Sequence, residues 1–244
     1  MTIQCEVWWA SPAVETPRLI GLLDGIERDR HDAYRQTVDR ARFLTGRAVA
    51  KAALGTLLGI DPGAVVLDST CPDCGRTHGK PKVVPPTGYT GPLPEMSISH
   101  SGNLVGVAVT RGLPVGLDVE QERDVEVDGL VRMTLSADEQ TAWSTVPAAD
   151  RDAAFFTYWS RKEAILKATG RGLSIAMTKV TVTPWDQPPR VLGSQASEVD
   201  SARIRMTQLD AGSGYRACVA VIADTPTDLA VTVHDADPII AGLS

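Results

Sequence analysis

Apolar positions along the chain fall into two periods, one helical and one extended. Val38, Ala41, Leu44, Ala48, Leu54, Leu57 and Leu58 recur at helical spacing and predict a long helix over 32–58. Gly59 and Pro62 stand where such a helix should stop. A second helix is predicted over Arg151–Thr169, closed by Gly170. A third opens at Ser136, with Glu139 three residues on in capping-box spacing. Short extended runs are read at 96–99, 104–110 and 115–120, and again at 180–182, 215–223 and 229–233. His100, Ser101, Gly102 and Asn103 supply a turn between the first two, while the Gly- and Pro-crowded stretch 72–94 predicts a loop. Helices and strands in this order predict an α+β fold.

Length and composition narrow the class. At 244 residues with 43% apolar content, the chain can build one large domain or two small ones, so disorder is not the theme. No apolar run reaches the roughly 18 residues needed to span a bilayer. The N-terminal MTIQCEVWWASP lacks the pattern of a secretion signal, which makes a cytoplasmic location the expectation. A net charge of minus 6 disfavours a nucleic-acid binder, which needs a basic surface. The charge is uneven, however: Arg28, Arg30, Arg35, Arg40, Arg42, Arg47 and Lys51 outnumber Asp29, Asp32 and Asp39. That segment is plus 4 and leaves the rest at minus 10. It reads either as a solvated helix face or as the wall of a pocket for a small polyanion.

Four cysteines, Cys5, Cys71, Cys74 and Cys218, do not make a disulfide framework in a chain of this length. Cys71, Cys74 and His78 give half of a zinc-knuckle spacing, with Cys5 and Cys218 as the only cysteines left to complete it. A turn with two reduced thiols is the simpler expectation.

The candidate chemistry is acidic. Asp118 and Glu120 lie two apart in a predicted strand, so alternation aims both carboxylates to one side. They read either as a hydrated strand end or as a pair that needs a cation. Glu163 borders the apolar stripe of the predicted helix 151–169 and stands four residues before Lys167, which alone would be an ordinary surface pair. Three oxygen donors converging on one place would suit Mg²⁺, and the arginines near 42 and 47 would balance further phosphate charge. The parts describe metal-assisted chemistry on a phosphorylated ligand.

The motifs occur in a telling order: Arg42 to Arg47 (RFLTGR), Gly79–Lys80–Pro81, Ser97 to Ser101 (SISHS), Val115 to Glu120 (VGLDVE) and Trp159 to Ser174 (WSRKEAILKATGRGLS). This order resembles the Sfp-type 4′-phosphopantetheinyl transferases. The resemblance implies two pseudo-symmetric α/β subdomains with the active site in the cleft between them, divided here as 1–112 for the nucleotide end of coenzyme A and 113–244 for metal and carrier. It implies Mg²⁺-dependent transfer of 4′-phosphopantetheine from coenzyme A to a serine of an apo acyl or peptidyl carrier protein, releasing adenosine 3′,5′-bisphosphate. By the same resemblance Asp118, Glu120 and Glu163 hold Mg²⁺, or Mn²⁺ in its place, and Lys167 contacts phosphate. Arg42, Gly79, Lys80, Pro81, Ser99 and His100 serve the nucleotide end, with His100 and Arg47 near the 3′-phosphate.

The enzyme needs no nucleophile of its own, since the carrier serine attacks. Lys167 and His100 would fix the phosphates, and Glu163 is the expected base, directly or through a metal-bound water. Trp159 and Lys162 are expected to be structural, the Trp in the core and the Lys snorkelling or pairing at its edge. The sequence further implies a monomer without nucleic-acid or membrane partners, with 124–146 as the carrier-docking segment. Two rival readings share the residues: a metal-dependent hydrolase of the coenzyme A pyrophosphate, and a zinc-stabilised interaction domain built on Cys71, Cys74 and His78.

Overall fold

A computed structural model describes residues 2–123 and 127–243. The described residues form two compact units, one within 4–113 and 231–243, the other within 2–3 and 114–230. Each combines helices with antiparallel strands, so the α+β expectation holds in both.

In the first unit a four-stranded sheet runs in the order Leu229–Asp235, Ile3–Ala10, Leu104–Arg111 and Pro94–Ser101. The helix Thr37–Leu58 packs on the last two strands, and Leu44, Ala48, Met96, Val107 and Val109 build the core between them. Gly46 sits at the crossing, where an added Cβ would lie 2.9 Å from Ile98 Cγ2. This helix starts at 37 and not at 32. Tyr34 and Gln36 are extended, and a separate helix, Gly25–Ala33, precedes them. Its N-terminus is an Asp24–Glu27 capping box that satisfies two otherwise orphaned backbone donors. At the far end Gly59, at φ +69°, closes the long helix as predicted.

The strand Pro94–Ser101 extends two residues beyond the sequence reading at each end. His100 pairs opposite Val105, and the hairpin turns on Gly102 at φ +56° and Asn103. At the end of the chain Ala236 N–H donates to Trp9 O at 2.7 Å, and Ile240 joins the first unit's core, so the tail 231–243 lies with the N-terminal sheet.

The second unit holds a three-stranded antiparallel sheet in the order Val115–Gln121, Tyr215–Ile222 and Ile204–Leu209. The helix Arg151–Thr169 lies on the first two strands and is buried along most of its length. Two short helices, Val127–Thr134 and Ala137–Trp143, flank it, the second opening with the predicted Ser136–Glu139 capping box. Gly116 lets strand and helix meet backbone to backbone, since a Cβ there would fall 1.9 Å from Ala164 O and 2.4 Å from Ala168 N.

Two cations fix the helix. Lys162 is not at the edge of the core, as the pattern predicted, but wholly buried. Its ammonium donates to Glu139 Oε2 at 2.5 Å and to the carbonyls of Thr134, Met177 and Val180 at 2.6–3.0 Å. Burial pulls its pKa down and Glu139 opposes that. Arg161, equally buried, donates to Gln208 Oε1 and to the carbonyls of Thr183, Pro184, Trp185 and Gln187. Trp159 packs half-buried against the core, in keeping with its expected structural role.

Candidate active-site residues

In the second unit the carboxylates are positioned by the Gly116 crossing. Alternation places Gly116, Asp118 and Glu120 on one side of their strand, and Gly116 touches the helix at Ala164 and Ala168, so that side faces the helix. Asp118 is buried at 3% exposure, and its Oδ1 accepts from Lys167 Nζ at 2.6 Å. Glu163 lies one turn before Lys167 on the same helix and is also buried. Its carboxyl is pushed above the ordinary glutamate range, first by burial and then by the charges of Asp118 and Glu120, while Lys167 pulls the other way. Three carboxylates thus share one neighbourhood with one ammonium among them.

That donor set fits a hard divalent cation. It is all oxygen, and the surplus negative charge that burdens Glu163 is what a cation would relieve. Val119, between the two acids, is fully buried on the opposite side and offers no ligand through its side chain.

In the first unit Arg42 and Arg47 lie five residues apart on one helix, so they leave it in different directions. Arg42 donates through Nε and Nη2 to Gly102 O at 2.9 and 2.6 Å, gripping the hairpin turn beside Ser99 and His100. Ser99 is buried and His100 exposed. Arg47 turns instead toward Glu27, 3.4 Å from its Oε1, and donates through Nη2 to Ser69 Oγ at 3.2 Å. Ser69 O in turn accepts from Gly79 N–H at 2.7 Å, which ties Arg47 to the root of Gly79–Lys80–Pro81. Lys80 is half-buried and sits 3.6 Å from Glu95; burial draws its pKa down and Glu95 resists.

A cavity of about 160 Å³ opens beside Arg47, lined also by Arg30, Glu27, Asp68, Thr70 and Thr77. Arg47 Nη1 is buried without a hydrogen-bond partner. Both guanidinium groups lie over the Phe43 ring, at 5.5 Å for Arg30 and 5.2 Å for Arg47. An anion in this cavity would meet two guanidinium groups among its lining residues.

Sequence reasoning missed Gly116, Glu95 and Glu27. Gly116 was legible only as a residue of VGLDVE, since no pattern says that a helix backbone will lie against it. Glu27 was readable as a capping residue, but its second task, facing Arg47 and Lys51 at 3.4 and 2.7 Å, needs the fold. Of the docking segment 124–146, residues 124–126 lie outside the described residues; the remainder forms the two short helices, with Met133 exposed on the first.

Comparison with known proteins fits this arrangement. Residues 114–220, the span holding the acidic residues and the second long helix, match the 4′-phosphopantetheinyl transferase superfamily. The chain is 30% identical over 177 residues to the 4′-phosphopantetheinyl transferase HetI of Nostoc sp., covering 72% of this chain and 71% of that one. It is 27% identical to the 4′-phosphopantetheinyl transferase psf-1 of Bacillus pumilus, over 64% and 61% of the two chains. With the 4′-phosphopantetheinyl transferase Sfp of Bacillus subtilis it shares 22% identity across 91% of this chain and 92% of the relative. Among the described residues no helix is long and apolar enough to cross a membrane. On these grounds the chain belongs to the 4′-phosphopantetheinyl transferase superfamily of enzymes.

Proposed function

We propose that the protein transfers 4′-phosphopantetheine from coenzyme A to a serine hydroxyl of an apo acyl or peptidyl carrier protein, as a Mg²⁺-dependent monomer. The observation that carries this reading is the pair of buried Asp118 and partly exposed Lys167, one turn from a Glu163 whose carboxyl is burdened by Asp118 and Glu120. Asp118, Glu120 and Glu163 would hold the ion, which when bound neutralises charge on the pyrophosphate. Lys167, partly exposed, would bridge from Asp118 to a phosphate oxygen.

The serine oxygen forms a bond to the phosphorus bearing pantetheine. The bond to the bridging oxygen breaks, and adenosine 3′,5′-bisphosphate leaves with that electron pair. Glu163 suits the serine proton because burial makes its carboxylate more basic than a solvated one. Arg47, Arg30 and Lys80, with Arg42 holding the Ser99–His100 hairpin, would receive the nucleotide end, Arg47 serving the 3′-phosphate.

Membership of an enzyme superfamily removes the purely non-enzymatic alternative. The hydrolase alternative differs only in the acceptor. Incubating the protein with coenzyme A, Mg²⁺ and several apo carriers, followed by mass spectrometry, should give carriers heavier by one phosphopantetheine. Free 4′-phosphopantetheine released without any carrier, and no modified carrier, would overturn the transferase reading.

A further inference from the structure

The loop between the paired strands Leu67–Asp68 and Lys82–Val83 holds a cluster that the transfer chemistry does not use. Residues 72–78 are all exposed, so hydrophobic burial does not shape this segment. Backbone hydrogen bonds do. Cys71 N–H donates to Arg76 O at 2.8 Å, Gly75 N–H to Cys71 O at 2.9 Å, and His78 N–H to Arg76 O at 3.0 Å. Gly75, at φ +71°, takes the left-handed position that lets the chain double back.

The result is a compact knuckle. The sulfur atoms of Cys71 and Cys74 and a ring nitrogen of His78 all lie within 4.8 Å of one another. Cys74 Sγ and His78 Nε2 are 2.9 Å apart, and both cysteines are free thiols. The sequence reading grouped Cys71, Cys74 and His78 and looked to Cys5 or Cys218 for the remaining ligand, but both of these are buried in other strands. We propose that Cys71, Cys74 and His78 form a zinc site, with the fourth tetrahedral position left to water.

Donor chemistry selects the metal. Two sulfurs and one imidazole favour Zn²⁺ over Mg²⁺ or Ca²⁺, which take oxygen. Ligand atoms around one tetrahedral Zn²⁺ stand about 3.5 to 3.8 Å apart. The cluster needs side-chain adjustments of only about 1 Å to reach that geometry, so the backbone knuckle is already formed.

The site has a mechanical consequence. His78 directly precedes Gly79–Lys80–Pro81, and Gly79 is packed on the backbone of the knuckle: an added Cβ would fall 2.8 Å from Thr70 O and 3.1 Å from Cys71 N. Arg30 Nη1 reaches Thr77 O at 3.4 Å and Arg47 reaches Ser69 Oγ, so both arginines of the cavity hold the same loop. A bound zinc would therefore order the segment that presents Lys80. This consequence, unlike the metal site itself, rests on the proposed role of Lys80 at the nucleotide end.

The test uses the full chain, expressed with zinc in the medium and purified under reducing conditions without chelator. Elemental analysis should find about one zinc per chain in the wild type and under about a tenth of that in Cys74→Ser and His78→Ala. Both substitutions are at exposed positions and leave the core intact. Reconstitution of the zinc-free protein with Co²⁺ alone should give thiolate charge-transfer absorption that both variants lose. Wild-type protein without zinc or a Co²⁺ band, or with a Cys71–Cys74 disulfide under reducing conditions, would overturn the site. With Mg²⁺ saturating, the two variants should raise the KM for coenzyme A roughly 3- to 10-fold at unchanged kcat. Zinc lost with an unmoved KM would overturn the coupling to Lys80. Zinc bound by a wild type that modifies no carrier would sink the transferase reading and support the metal site.

Discussion

The two long helices each bury a pair of cations, and they treat them oppositely. On Arg151–Thr169, Lys162 has one carboxylate and three carbonyls for its three protons, and Arg161 has five acceptors. Neither has donor capacity left for a ligand. On Thr37–Leu58, Arg47 and Lys51 share the single carboxylate of Glu27, and Arg47 Nη1 has no partner. A saturated buried cation can only hold the fold, because any ligand would have to displace a protein acceptor. An unsaturated one beside a cavity keeps its desolvation cost until an anion arrives. Burial alone therefore does not distinguish a structural cation from a binding one; the count of acceptors does.

The largest expected effect tests the helix whose saturated cations, Arg161 and Lys162, immediately precede its functional residue. Glu163→Gln should lower carrier modification by about 10²- to 10⁴-fold in single-turnover assays. It should also stabilise the fold. A carboxyl whose pKa is raised in the folded state binds protons more readily there than in the unfolded chain, so its destabilisation grows as pH rises through and above the ordinary glutamate range. In metal-free buffer the variant should melt higher than wild type at pH 7, with the gap closing near pH 4. Activity lost together with melting temperature at pH 7 would return Glu163 to a structural role. Next in size is Lys162→Met, which strands the buried Glu139 carboxylate. About 3 to 5 kcal/mol should be lost in urea denaturation, a cost that coenzyme A does not offset.

Much of this frame was legible in the sequence, for identifiable reasons. The capping box at Ser136, the stop at Gly170 and the shared face of Asp118 and Glu120 depend on spacing within one element, which sequence displays. What it hid were decisions made by distant residues. Lys162 looks like an edge lysine until Thr134, Met177 and Val180 bring their carbonyls. The strand Ile3–Ala10 shows no clean alternation because most of its residues are buried on either side. Arg42 and Arg47 looked equivalent on a basic helix, yet one grips Gly102 and the other faces a cavity.

A third prediction compares the glycines at the two helix–sheet crossings. Gly116→Ala would drive a methyl into helix backbone at 1.9 Å, which cannot move without breaking the packing that sets Asp118 beside Lys167. About 3 kcal/mol of stability should go, with most activity. Gly46→Ala meets side chains and no backbone, Ile98 Cγ2 at 2.9 Å and Val105 Cγ1 at 3.6 Å, and these can shift by a few tenths of an ångström, so the loss should stay near 1 kcal/mol. Equal costs in urea denaturation would mean that the two crossings are equally tight.

The smallest effect bears most directly on the contrast between the cations. In Arg47→Ala, Lys51 still pairs with Glu27 at 2.7 Å and donates to Leu22 O at 2.8 Å, so the carboxylate is not stranded and stability should fall by less than about 2 kcal/mol. What disappears is a guanidinium that lines the cavity. The KM for coenzyme A should rise about 10-fold, equivalent to about 1.4 kcal/mol, while the 3′-dephospho form should change little. The comparison of the two substrates separates a lost phosphate contact from a general loosening of the loop, because loosening weakens both alike. Equal losses would place the 3′-phosphate elsewhere and leave Arg47 as a cation of the same structural kind as Lys162.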